Sequence, residues 1–163
     1  MKRLATALVV FGTFFGTGTP TDAQVRLAPE LVLADDVDFG IGAHAFFPLG
    51  DSNIEIGAFY DFYFVAGNAG YSDLGGTAYY LFRLPDNPGI VPKVGAGLTV
   101  GFVTLDPNFA TVDGTTEFGA HVVGGADFTV GASRPFIEVG VNLTSELPQW
   151  LIRAGWGFAL GGG

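Results

Sequence analysis

Residues 117–130 read EFGAHVVGGADFTV, and this stretch indicates how the chain folds because its apolar side chains recur at every second position. One parity holds Phe118, Ala120, Val122, Ala126, Phe128 and Val130, and the other holds Glu117, Gly119, His121, Gly125, Asp127 and Thr129. Successive side chains of a β-strand point to opposite faces of the sheet. The stretch therefore predicts a strand with one apolar face and one face that is ionic or empty.

The same alternation recurs along the chain, and the composition indicates what the two faces contact. A water-soluble barrel with its apolar face inward needs an outer face rich in Lys, Glu, Ser and Thr. Here glycine dominates that face, Phe is the commonest aromatic residue at 16, only 14% of residues are charged, and the mean hydropathy is +0.42. These values favour a barrel with lipid outside and a narrow lumen of small residues and paired charges. A soluble periplasmic ligand-binding barrel is the alternative.

The N-terminal segment has the pattern of a secretory signal peptide. Two basic residues precede an apolar stretch that is shorter than the roughly 20 residues of a membrane-spanning helix. Thr21 and Ala23 supply small side chains at the positions that precede a cleavage site before Gln24. We therefore predict a cleaved signal peptide over 1–23 and one barrel domain over 24–163.

The charge of this domain limits its partners. Five of the seven basic residues and fifteen of the sixteen acidic ones lie after position 23, which gives a formal net charge of −10. An acidic chain of this kind argues against recognition of nucleic acid through a basic patch. The sequence has no cysteine, so thiolate metal and redox sites are excluded. We predict no cofactor.

Eight strands follow from the alternation and from the turn residues between them. We predict them over 26–34, 38–47, 54–64, 74–84, 91–103, 117–130, 136–143 and 149–160. Most are close to the length of about 9 to 11 residues that a tilted membrane strand needs. Pro29 lies inside the first strand, where it removes a ladder hydrogen bond, so a bulge or a displaced strand is expected there.

Running these strands up and down in chain order predicts an antiparallel transmembrane β-barrel. The tight turns then face the periplasm, and the longer connections, 65–73 and 104–116, face outside as candidate contacts for a surface ligand. Aromatic residues of the apolar parity fall into two girdles, as membrane interfaces favour. The outer girdle holds Phe39, Phe62, Phe64, Phe102, Phe118 and Trp150, and the periplasmic girdle holds Phe47, Phe82, Phe128 and Phe158.

The last predicted strand, QWLIRAGWGFAL, carries a short motif. Arg153, Gly155, Phe158 and Leu160 follow the order polar, glycine, aromatic, apolar at fixed spacing. This resembles the C-terminal signal by which the barrel assembly machinery recognises outer-membrane proteins, and the chain resembles the small eight-stranded barrels of the OmpA, OmpX and OmpW type. Those proteins usually end on the aromatic residue, whereas five residues follow Phe158 here.

The resemblance implies a monomer in the outer membrane of a Gram-negative bacterium, surrounded by outer-membrane lipid. It also implies a narrow lumen and a structural, adhesion or surface-contact role. Some members of the family pass small apolar compounds, so a narrow channel for small solutes is an alternative function.

Charged residues on the inward parity are the candidate site. The candidate network consists of Glu30, Glu55, Arg83, Lys93, Asp127, Glu138 and Arg153, and the same parity also carries Asp61, Glu117, His44 and His121. Isolated charges in a narrow lumen are costly, so we expect them to pair. Glu55, Arg83, Lys93, Asp127 and Glu138 fall on consecutive strands near the periplasmic end and are expected to form one belt. The belt acts either as a gate or as a static filling of the lumen.

Catalysis is the remaining function class, because a few outer-membrane barrels deacylate or acylate lipid A. That chemistry needs an activated nucleophile or base. Ser52, Ser72, Ser133 and Ser145 are expected in connections, and neither His44 nor His121 is next to one of them in sequence. The two histidines form no HxH or HExxH pattern, so no metal site is predicted. We therefore predict a non-catalytic barrel.

Overall fold

The computed structural model describes residues 24–35, 37–65, 69–105, 116–144 and 147–160. Its strands are β1 (Arg26–Ala34), β2 (Asp38–Pro48), β3 (Ile54–Tyr63), β4 (Ala69–Leu81), β5 (Ile90–Leu105), β6 (Thr116–Phe128), β7 (Ser133–Asn142) and β8 (Trp150–Ala159). In these ranges there is no helix long and apolar enough to cross a membrane. The predicted signal peptide lies outside the described residues and stays a prediction.

The eight strands form one closed antiparallel barrel in which every strand pairs with its neighbours in chain order. The first and last strands close it, so that Arg26 lies opposite Ala159. The connections 49–53, 82–89 and 129–132 lie at one end, called here the turn end, together with the start of β1 and the end of β8. The opposite end, the loop end, carries 35–37, 64–68, 106–115 and 143–149. This architecture confirms the predicted eight-stranded up-and-down barrel.

Two of the tight turns at the turn end depend on glycine. Gly50 has a φ of 56° and Gly131 a φ of 60°, a left-handed conformation that residues with a Cβ adopt only at a cost. These glycines let the chain reverse within 49–53 and 129–132. The strands that these turns join, β2 with β3 and β6 with β7, can therefore remain paired up to the turn end of the barrel.

The two faces of β6 separate as the alternation predicts. Phe118 and Val122 are 72% and 43% exposed on the outside, whereas His121 and Asp127 are buried in the lumen. Most of the aromatic residues predicted for the two girdles are also exposed: Phe39, Phe62, Phe64, Phe118 and Trp150 toward the loop end, and Phe82, Phe128 and Phe158 toward the turn end. Phe47 and Phe102 are half-buried. The apolar surface therefore faces outward around the barrel.

The expected bulge at Pro29 does not form. β1 keeps one register with β8 on both sides of the proline, since Leu27 pairs with Phe158 and Glu30 pairs with Gly155. Between these two pairs, only Ala28 and Pro29 have no partner on β8, because proline has no N–H to donate. Pairing with β2 continues through Pro29, so β1 is interrupted on one side only.

Two of the predicted strand ends are wrong at β4. This strand starts at Ala69, so the predicted connection 65–73 is shorter, and it ends at Leu81. Phe82 donates its N–H to the carbonyl of Pro92 at 2.8 Å, but Pro92 has no N–H to return the bond. The ladder therefore stops three residues earlier than predicted, which moves Arg83 into the turn.

The outward face of β6 gives a test of the membrane orientation. Val122→Arg, near the middle of the strand, is expected to lower the free energy of unfolding by about 2 to 4 kcal/mol in lipid vesicles, because a charge at the bilayer midplane faces hydrocarbon. Val130→Arg, past the end of β6 and also exposed, is the matched control and is expected to cost less than about 1 kcal/mol. Equal losses in a urea titration would contradict the depth assignment.

Candidate functional site

Five charged side chains converge in the lumen near the turn end and form the belt. Arg26 Nη2 lies 2.8 Å from Glu55 Oε1 and 2.9 Å from Asp127 Oδ2. Lys93 Nζ lies 2.8 Å from Asp127 Oδ1 and 2.6 Å from Glu138 Oε1. All five side chains are at most 4% exposed. The belt is thus a chain of alternating charges contributed by β1, β3, β5, β6 and β7.

Arg83 is not part of the belt, contrary to the prediction. It is exposed in the turn after β4, where its Nη2 donates to the carbonyl oxygen of Ser52 at 2.9 Å. Arg26 occupies the expected place of the cation and donates to both carboxylate oxygens of Glu55. The signal was present in the sequence, because Arg26 shares the inward parity of Glu30 on β1.

Aromatic rings pack around the Lys93 ammonium group. Its Nζ lies 4.6 Å from the ring centroid of Phe46, 4.7 Å from that of Tyr79 and 4.8 Å from that of Phe136. Such contacts attract a cation and exclude water. The Tyr79 hydroxyl also donates to Glu138 Oε2 at 3.1 Å. Ion pairs and rings together therefore fill this cross-section of the lumen.

A second group, the acidic row, lies nearer the loop end. Glu30 on β1 and Asp61 on β3 both lie opposite Gly42 of β2, and Asp61 lies directly opposite Asp73 of β4. All three carboxyl groups are buried. Like charges that face each other across a sheet are destabilising, so the row requires a cation.

Arg153 of β8 supplies that cation. Its Nε and Nη2 each lie 2.8 Å from Asp61 Oδ2, and its Nε lies 4.0 Å from Glu30 Oε1. The guanidinium group also lies 3.9 Å from the ring centroid of Phe59. Asp73 Oδ2 instead accepts a bond from the Tyr63 hydroxyl at 3.3 Å. Asp73 was not predicted to face the lumen, because its position was assigned to a connection rather than to β4.

The two histidines lie in different surroundings. His44 has its Nδ1 3.3 Å from Glu30 Oε2 and stacks on Phe46 at 4.1 Å between ring centroids. His121 lies between two hydroxyl groups, 2.8 Å from Thr77 Oγ1 and 2.7 Å from Thr99 Oγ1. Within the described ranges, no three His, Asp or Glu side chains are placed to hold a metal ion.

The serines that a hydrolase would need lie elsewhere. Ser52 and Ser133 are at the turn end, where each hydroxyl donates to a backbone carbonyl within its own turn. Ser133 is the first residue of β7 and Ser72 lies on β4, so neither is in a connection, which corrects the prediction. Ser145 lies outside the described residues. Ser72 pairs with Phe62 and Phe102 on the neighbouring strands, away from both histidines.

The residues of the predicted assembly signal divide between the two faces of β8. Arg153 and Gly155 are turned to the lumen, whereas Phe158 and Leu160 are 51% and 46% exposed on the outside. The apolar half of the motif is thus accessible to another protein or to lipid. Its role in recognition stays a prediction.

A pair of substitutions tests that role. Phe158→Ala with Leu160→Ala is expected to lower the amount of barrel inserted in cells while refolding into detergent micelles is nearly unchanged, because exposed side chains contribute little internal packing. Western blotting of membrane fractions and the unfolding midpoint in micelles measure the two effects. Leu27→Ala, also an exposed turn-end residue on β1, is the control. Equal loss in both assays would show that Phe158 and Leu160 only stabilise the fold.

Comparison with known proteins places this fold among membrane barrels. Neither a protein-family model nor a curated protein matches the sequence. The N-terminal β-barrel domain of Pseudomonas aeruginosa OprF aligns with a TM-score of 0.69 and 19% identity over 85% of this chain and 98% of that domain. Neisserial surface protein A gives a TM-score of 0.55 and 14% identity over 83% and 92%.

A further similar structure is that of Ail, the attachment invasion locus protein of Yersinia pestis, in complex with the heparin analogue sucrose octasulfate. Its TM-score is 0.58, with 10% identity over 85% of this chain and 97% of Ail. Identities this low establish the fold and not a shared ligand. The chain thus has the fold of the small eight-stranded outer-membrane β-barrels, the proteins that its last strand resembles.

Proposed function

We propose that the chain is a non-catalytic outer-membrane barrel of a Gram-negative bacterium, with a structural or surface-interaction role. The observation that best supports this proposal is that side chains fill the lumen. The belt and its rings occupy the turn-end half, and Arg153 with its carboxyl partners occupies the next layer. A lumen of this kind supports a membrane anchor for the connections better than it supports a pathway for solutes.

Conductance of the refolded protein in planar lipid bilayers tests this proposal against a narrow channel. We expect no steady single-channel current with the unaltered barrel in potassium chloride. Glu138→Gln with Lys93→Met serves as the comparison, because it removes both charges of one buried ion pair and leaves Asp127 with Arg26 as a remaining cation. Regular conductance steps from the unaltered protein would favour the channel for small solutes.

The distribution of charge supports contact with a cationic or neutral surface ligand. The loop-end connections contain the acidic residues Asp35, Asp36, Asp106, Asp113 and Glu146 and no Lys, Arg or His. Four of the five basic residues of the domain lie toward the turn end. A polyanion such as the sulfated ligand of Ail would meet repulsion at this acidic end. We therefore propose that 64–68 and 106–115, the parts of the predicted connections 65–73 and 104–116 outside the strands, include the contacts of such a ligand and that the barrel acts as a monomer.

Proteolysis of intact cells tests the orientation. Trypsin has no cleavage site in the loop-end connections, and it should leave the chain uncut until the envelope is permeabilised and the turn at Arg83 becomes accessible. Proteinase K should cut within 106–115 on intact cells. Tryptic cleavage at Arg83 on intact cells would show that the turn end faces outside, which would contradict the proposed orientation.

A further inference from the structure

A cavity of about 360 Å³ opens at the turn end of the lumen, and its lining includes three arginines and the carboxylates Asp51 and Glu55. The arginines are Arg26, Arg83 and Arg134, which are three of the five basic residues in 24–163. The domain has fifteen acidic residues and only five basic ones, so a cavity lined by three guanidinium groups contrasts with its negative net charge. The cavity is called here the turn-end mouth.

Arg26 forms the buried wall of the turn-end mouth. It is only 3% exposed and its Nη2 holds Glu55, but its Nε and Nη1 have no hydrogen-bond partner among the described residues. Nη1 is close to Gly157, another wall residue, at 3.5 Å from the position that a Cβ would take there. Buried donors of a charged group normally have acceptors, so the structure leaves room for one.

Arg83, in the turn after β4, and Arg134, at the start of β7, also line the mouth. Arg83 uses one bond, to the carbonyl of Ser52, and is otherwise exposed. Arg134 has a 31% exposed side chain, and its Nη2 is 3.5 Å from Asp127 Oδ2, which is too long for a strong charge-assisted hydrogen bond. Each guanidinium carries five donors, and most of those on these two arginines remain available.

We propose that the turn-end mouth binds a phosphate group, with Arg83 and Arg134 as its direct partners and Arg26 as the buried charge beside them. Guanidinium groups match the oxygen spacing of phosphate. The wall is formed by inward-facing residues such as Leu81 and Gly157, so access is through the lumen opening. The source is therefore a water-soluble phosphate compound and not the headgroup of a surrounding lipid.

Calorimetric titration of the refolded protein with inorganic phosphate in zwitterionic micelles, at constant chloride, tests the proposal. We expect saturable binding, weakened about tenfold by Arg83→Gln or by Arg134→Gln, because each removes one charge-assisted partner. Asn87→Asp is the matched control. It changes the net charge by the same amount in an exposed turn at the same end, outside the cavity.

Three results would overturn the proposal. The first is the absence of saturable binding by the unaltered protein. The second is the same loss in Asn87→Asp as in the arginine variants, which would show a general charge effect. The third is an effect of phosphatidylglycerol vesicles, relative to phosphatidylcholine vesicles, on the unfolding midpoint without any effect of inorganic phosphate, which would identify a lipid headgroup. Circular dichroism confirms folding of each variant, and either arginine variant alone suffices if the other fails to fold.

Discussion

Lys93→Met is expected to lower the free energy of unfolding by about 3 to 5 kcal/mol, because it leaves two buried carboxylates without their shared cation. Methionine approximates the length of lysine and suits the surrounding rings of Phe46, Tyr79 and Phe136. The loss therefore reports on charge and not on a cavity. Urea unfolding in lipid vesicles, followed by tryptophan fluorescence, measures it.

Double substitutions show which carboxylate depends on Lys93. Glu138 has only Lys93 as a cation within 4.0 Å in the described structure, whereas Asp127 also contacts Arg26 and Arg134. Lys93→Met with Glu138→Gln should therefore recover more stability than Lys93→Met with Asp127→Asn. Losses that simply add in both pairs would mean that the ammonium group is not coupled to these carboxylates.

Arg153→Met is also expected to lower the free energy of unfolding by about 3 to 5 kcal/mol, because it removes the cation that offsets the acidic row. Asp61→Asn in the same chain should recover more stability than Glu30→Gln. The reason is distance: Asp61 Oδ2 is 2.8 Å from two nitrogens of Arg153, whereas Glu30 Oε1 is 4.0 Å away. Thermal unfolding in micelles gives the order. Greater recovery with Glu30→Gln would contradict this geometry.

The sequence predicts the barrel because alternation and burial are local properties of each strand. The outward and inward parities of β6 hold through Phe118, Val122 and Asp127, and the strand number follows from the turns. The ends of strands are harder to predict from the sequence, because they depend on hydrogen-bond partners on other strands. β4 stops at Leu81 only because Pro92, on the next strand, cannot return a hydrogen bond to Phe82.

The same dependence explains the errors at the site. The structure brings Glu55, Lys93, Asp127 and Glu138 together, and parity alone placed them on the inward face. Which cation joins them depends on the closure of β1 against β8, and this closure brings in Arg26 in place of Arg83. Pairing across the lumen is set by the register of the whole barrel, which no single segment encodes.

The closing strand couples two features of the finished barrel. Glu30 and Asp61 belong to β1 and β3, but their cation belongs to β8, at the other end of the chain. A sheet that lacks β8 contains carboxylates without their counterion. Closure of the hydrogen-bonded ring between β1 and β8 and neutralisation of the acidic row therefore depend on the same strand, and an open sheet is poorly suited to the bilayer interior.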